Sequence, residues 1–283
     1  MRSALNNFAR LLCALAFLLL CAGALVTSTG SSLSVPDWPL SYGSLLPPMI
    51  GGVVFEHGHR LIAGVVALLT LTLAVWLARR EPRAWVRRMG YLAAAAILLQ
   101  ALLGGLTVLL RLPPAISIAH ACLAQAVFAL LVAIAQATSP WYAATAATTA
   151  AAAALAKLWR LGVLAILAVF LQIFWGALLR HTGTGLGLHL AWALVVFFAV
   201  MAAAARGASA ASPDNGLYAP SLLLGGLIVV QIFLGFAALK ARFSPDYASG
   251  FSGAAVVTAV HLAMGSLILA TAVVWSLRAR RYR

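Results

Sequence analysis

Glu56-His57-Gly58-His59-Arg60 places a carboxylate, two imidazoles and a guanidinium in five consecutive residues at the start of an apolar run. Ionisable groups at the edge of a membrane are costly and mark functional sites. Three more histidines, His120, His189 and His261, stand at the starts of other apolar runs. Two imidazoles from facing helices are what a six-coordinate haem iron needs from a four-helix bundle. His59 with His120, and His189 with His261, are therefore candidate axial ligands. A neutral imidazole suits iron in an apolar site because a buried imidazolium is poorly solvated there. Zinc or copper fits less well, because no cysteine or carboxylate cluster completes a tetrahedral set. Single membrane histidines also serve as interhelical hydrogen-bonders, but four in repeated positions point to ligation.

Glu56 lies three residues before His59 and four before Arg60, so the three share a helix face. It reads either as an acid/base group beside the iron or as a helix-start carboxylate neutralised by Arg60. His57 is about 200° around the helix from His59 and is expected at the membrane interface. His181 is expected in a solvated outer turn, Arg180-His181-Thr182-Gly183.

The elements that must carry these residues are membrane helices. The chain has 283 residues, of which 64% are hydrophobic and 8% charged, too little polar surface for a soluble fold. Apolar stretches of spanning length fall at roughly 11–29, 55–78, 90–110, 115–138, 157–179, 186–206, 219–240 and 254–277. The fold class is an all-α membrane protein with eight transmembrane helices. The net charge of +14 does not signal nucleic acid. Of the 19 Lys and Arg, 14 flank one set of helix ends and 5 the other, which predicts cytoplasmic termini. The first apolar run reads as an uncleaved helix rather than a signal peptide. Cys13, Cys21 and Cys122 lie in apolar runs and form no disulfide framework.

The halves resemble each other. Gly23-Ala24-Leu25 before Thr29-Gly30 matches Gly176-Ala177-Leu178 before Thr182-Gly183, at an offset of 153; His59 matches His189 at 130. Gln100 to Gly104 matches Gln231 to Gly235 at 131, and His120 matches His261 at 141. The second half thus lacks about 23 residues in its first outer loop and gains about 10 in its last. Two pseudo-symmetric four-helix bundles follow, over 1–140 and 157–283, joined by an Ala-rich linker at 141–156 and related by an axis along the membrane normal. The match is broken at one place: Glu56 corresponds to Leu186 and Arg60 to Leu190. Identical electron carriers have no use for that difference; a reaction site beside a redox site does. The Pro-, Gly- and Ser-rich residues 30–55, with Trp38 and Tyr42, read either as a lid over the first bundle or as an interfacial anchor.

The Thr29-Gly-Ser-Ser-Leu-Ser-Val-Pro-Asp-Trp-Pro39 loop, Glu56-x-x-His59-Arg60, and His120, His189 and His261 within eight helices resemble the haem A synthase family over essentially the whole chain. The resemblance implies oxidation of the C8 methyl of haem O to a formyl group by two successive hydroxylations, the geminal diol then losing water. It implies haem b on His189 and His261, haem O or haem A on His59 and His120, and Glu56 acting near the methyl. It also implies an inner cell membrane location, a haem O synthase (prenyltransferase) as partner, and a place in cytochrome oxidase assembly. Arg60 and Arg111 are candidates for the haem propionates, through bidentate geometry. A homo-oligomer is neither required nor opposed by these residues. Many family members carry a cysteine pair in the first outer loop; here Val35 takes the first position and residues 30–55 hold no cysteine. The competing expectations are a di-haem b membrane electron carrier and a haem-binding delivery protein.

Overall fold

A computed structural model describes residues 2–143, 152–210 and 216–281. Helices α1 (Arg2–Ser28), α2 (Val53–Arg80), α3 (Ala84–Leu109) and α4 (Pro114–Thr138) are followed by a single turn, α5 (Pro140–Ala143). Then come α6 (Ala152–Thr182), α7 (Leu186–Ser209), α8 (Tyr218–Arg242) and α9 (Gly253–Arg280). Eight of these are long and apolar enough to cross a membrane. A backbone in lipid must satisfy its polar groups within itself, and a helix does so.

The helices extend past several expected limits. α1 begins at Arg2 rather than near residue 11 because Asn6 donates to the Ala135 carbonyl at 2.7 Å, tying a polar first turn to the end of α4. α3 begins at Ala84, ahead of Arg87 and Arg88, whose long side chains reach polar surroundings while their backbone stays helical. The Ala-rich linker is only partly a linker. Residues 152–156 already belong to α6, residues 140–143 form a turn, and 144–151 lie outside the described residues.

Each helix of α1–α4 packs on its sequence neighbours and α1 closes on α4; α6–α9 close in the same way. The seam between the two rings runs along α1, α4, α6 and α9. This arrangement is consistent with the two-bundle repeat. At the seam, Ser28 on α1 accepts hydrogen bonds from Arg180 Nη2 at 2.5 Å and from Thr258 at 3.0 Å.

Both hydrophobic cores lie toward one end. The first centres on Leu12, Leu73, Leu77, Leu131 and Ile134, the second on Val200, Leu224, Ile268, Leu269 and Trp275. These residues come from the helix halves near the Arg79–Arg88 link and the basic tail. The opposite end, where the histidines sit, is left with half-buried residues around them.

Candidate functional site

His59 lies in the second turn of α2, His120 in the second turn of α4, His189 in the first turn of α7 and His261 in the third turn of α9. All four are half-buried. The Nδ1 atoms of His59, His120 and His261 are sealed from solvent without a hydrogen-bond partner. Each ring is met by a glycine on the preceding helix. A Cβ added at Gly23 would come within 3.0 Å of His59 Cε1; the same atom at Gly104 meets His120 at 3.0 Å, at Gly176 His189 at 3.2 Å, and at Gly235 His261 at 3.4 Å. A Cβ at Gly23, Gly104 or Gly176 would crowd the ring, whereas at Gly235 it would just touch it. Sequence inspection matched Gly23 with Gly176 and Gly104 with Gly235, but gave no reason for either pair. Their reason is this close approach.

The ring centres of His189 and His261 are 6.3 Å apart, with planes at 74°. A metal bound to two imidazoles needs two bonds of about 2 Å each; half a ring at each end brings the centres to about 6 Å apart. The pair therefore fits a bis-histidine iron. His120 is an electrostatic neighbour of His59. Among the described residues no three His, Cys, Asp or Glu side chains converge. The three cysteines are free, two on α1 and one on α4.

Over the first bundle, residues 29–52 form an ordered roof. Glu56, 4% exposed, holds its underside: its Oε2 accepts from Val35 N at 2.9 Å and its Oε1 from Arg60 at 2.6 Å. Arg60 Nη1 donates to the carbonyls of Asp37 and Leu40 at 2.6 and 2.8 Å. The Trp38 ring lies against the Cα of Gly105 on α3, where a Cβ would be 2.7 Å away. The Asp37 carboxylate accepts from Tyr42 N and Gly43 N at 2.7 and 2.8 Å. The Gly43 amide, with that of Tyr42, holds this carboxyl below its ordinary range. The segment has features of both a lid and an anchor: Trp38 packs onto the bundle, while Tyr42 is 58% exposed and Leu45, Leu46 and Ile50 are 74%, 82% and 74% exposed.

Two expectations are corrected. His57 is not at the interface; it is buried under the lid with Nδ1 2.8 Å from Ser41 Oγ. The loop covers the helix face that would otherwise meet water. His181 lies in the last turn of α6 and is half-buried, because the helix runs on to Thr182. Arg60 lies in the expected place beside Glu56, but its Nη atoms are given to Glu56 and the loop, whereas Arg111 is exposed at a left-handed turn after α3, with φ 57°.

Residues 52–192 match the family model described as cytochrome oxidase assembly protein, COX15-CtaA. The chain belongs to the haem A synthase family. Among its relatives in that family, the heme A synthase of Bacillus licheniformis is 24% identical over 81% of this chain and 84% of its own length. That of Lysinibacillus sphaericus is 42% identical over 32% of this chain, and the match spans only 31% of that relative's length. That of Symbiobacterium thermophilum is 27% identical over 58% of this chain and 55% of its own. The matched residues include Glu56, His59, Arg60, His120 and His189, and end before His261.

Proposed function

We propose that this chain is a haem A synthase, a membrane oxidoreductase that converts haem O to haem A by oxidising the C8 methyl to a formyl group. The observation that carries this reading is the unequal furnishing of two otherwise matched histidine sites. Only the first has a buried carboxylate one turn from its histidine, beneath a closed lid. In this reading His189 and His261 hold haem b, and His59 and His120 hold the haem O substrate. Bound haem b supplies one-electron transfer.

The chain's own contribution is at Glu56. Arg60 keeps Oε1 occupied, and Oε2 is released for proton exchange when the Val35 amide lifts with the lid. A positioned acid/base of this kind is worth about 10²–10⁴-fold in rate. The lid excludes water and closes the site around its guest. Arg60, by gripping both Glu56 and the loop, couples lid position to the carboxylate.

The 14 basic residues of one end support cytoplasmic termini, which puts both histidine pairs toward the outer face of the cell membrane. The reading brings with it a haem O-forming prenyltransferase as supplier and a terminal oxidase as recipient. A di-haem b carrier has one observation in its favour: both Glu56 oxygens are engaged, as a purely structural latch requires. Co-expression with a haem O-forming prenyltransferase, followed by extraction and mass analysis of the haems, separates the two. Haem A is expected. Haem b with unchanged haem O under competent conditions refutes the synthase.

A further inference from the structure

Four residues before each glycine that meets a histidine, three of the four helices carry glutamine: Gln100 before Gly104, Gln172 before Gly176, Gln231 before Gly235. Gln100 Nε2 donates to the His120 carbonyl at 3.1 Å and lies 3.4 Å from its ring Nε2. Gln172 Nε2 donates to the His189 carbonyl at 3.0 Å, with the ring nitrogens at 3.2 and 3.3 Å. Gln231 Nε2 donates to the His261 carbonyl at 3.1 Å. In all three, the carboxamide Oε1 is buried and has no donor. On α1 the same position, four before Gly23, is Leu19, a half-buried member of the first core. The second bundle thus has both histidines gripped by glutamine side chains; the first has His120 so gripped, whereas His59 has only the Leu19 backbone carbonyl, a contact that Gln100 and Gln172 also offer to their histidines.

Resting on the haem reading above, we propose that Gln100, Gln172 and Gln231 are positioning residues for the iron-binding imidazoles, and that Leu19, by leaving His59 ungripped, makes the first site the one that exchanges its porphyrin. An imidazole that binds iron through one nitrogen carries its proton on the other and needs an acceptor there; such outer partners fix tautomer and ring angle and change metal affinity by about 10–100-fold. Each glutamine has its Nε2 already anchoring the histidine backbone and a buried Oε1 acceptor with no donor. Leucine has neither. A resident electron carrier is served by two gripped ligands. A site that takes in substrate and gives up product is served by one ligand that yields, since differences in binding among related sites reside mainly in release.

The test uses the full purified chain loaded with ferric protohaem, with transfer to excess apomyoglobin followed optically. Wild type is expected to release haem in two phases, the slow one abolished by His261→Ala and the fast one by His59→Ala. Leu19→Gln slows the fast phase by about 10-fold or more and leaves the slow phase alone. Gln172→Leu speeds the slow phase by a similar factor and broadens its low-spin electron paramagnetic resonance signal, which a purely structural role would not do. Because Leu19 packs on the first core, Leu19→Met is the packing control and leaves the fast phase unchanged; if Gln172→Leu fails to fold, Leu19→Gln decides alone, its fold checked by the unchanged slow phase. An unchanged fast phase in a folded Leu19→Gln protein overturns this inference while the haem reading stands. A haem spectrum indifferent to all four histidines overturns both.

Discussion

The outer ends of the two bundles invite comparison. Above His59 and His120 lie residues 29–52, held by Glu56, Arg60, His57 and Gly105. Above His189, α6 and α7 are joined by residues 183–185 alone, with Gly183 and Gly185 at φ 77° and 85°. Glycine suits such a tight reversal because it has no Cβ to clash at positive φ. Beneath both roofs the glycine–histidine contact is the same. The glycine–histidine framework and the groups set above it are thus separable. Both bundles carry histidines near one set of helix ends; the first adds a longer loop and the Glu56–Arg60 pair in the first turns of α2, which cover that end and set an acid beneath it. The traffic is not all one way: Phe251 of the last outer loop stacks on Phe55 of α2 at 6.0 Å, so the second half helps brace the entrance of the first.

The comparison can be broken at its strongest point by Glu56→Gln. Formyl production should fall by about 10²-fold or more while both haems remain bound; normal haem A yield by mass would make Glu56 a latch and nothing else. His261→Ala should remove the resident haem b and spare the first site, visible as loss of one of two low-spin optical components. Loss of both components together would mean the bundles are not independent.

Arg60→Ala strips the buried Glu56 of its cation and the loop of two carbonyl contacts. Breaking such a pair costs on the order of 3–5 kcal/mol, so thermal unfolding should begin in the first bundle, and limited proteolysis should cut within 29–52. Equal protection of that segment in variant and wild type would remove Arg60 from the lid's support. Gly105→Leu should displace Trp38 and open the lid more gently, lowering turnover while leaving the haem b spectrum unchanged; a haem b signal that moves with it would deny the lid a purely local effect.

The smallest effect concerns Asp37. Its carboxyl is held below its ordinary range, so its contribution is present at neutral pH and is lost as pH falls through the lowered value. The protection of the Tyr42 and Gly43 amides, taken relative to their intrinsic exchange rate at each pH, should therefore fall on acidification before any other part of the lid loosens. Simultaneous loosening of the whole segment would assign the turn's order to other contacts.

Much of this was legible in the residues. Apolar run length gave eight helices, since a lipid-spanning backbone has few alternatives. The Glu56–Arg60 pair followed from i, i+4 spacing, and its closure at 2.6 Å matches that expectation. His57 and His181 were misjudged because helical periodicity describes one helix at a time. Whether a face meets water depends on what other parts of the chain lie over it, here the preceding loop through Ser41 in the one case and three further helical residues in the other. Gln172 carried a signal in its spacing to Gly176, visible beside the two other glutamine–glycine pairs, yet its meaning required the partner histidine seventeen residues on.

Composition and spacing alone determined a membrane-embedded helical chain, four histidines at matched depths and a single unmatched acid, because these depend on local periodicity and on the cost of charge in lipid. Only the tertiary structure decided which side chains grip which: that glycines admit the rings, that glutamines hold three of the four, and that Glu56 holds down a lid. Those contacts join segments far apart in sequence, and their existence depends on helix packing that no local pattern encodes.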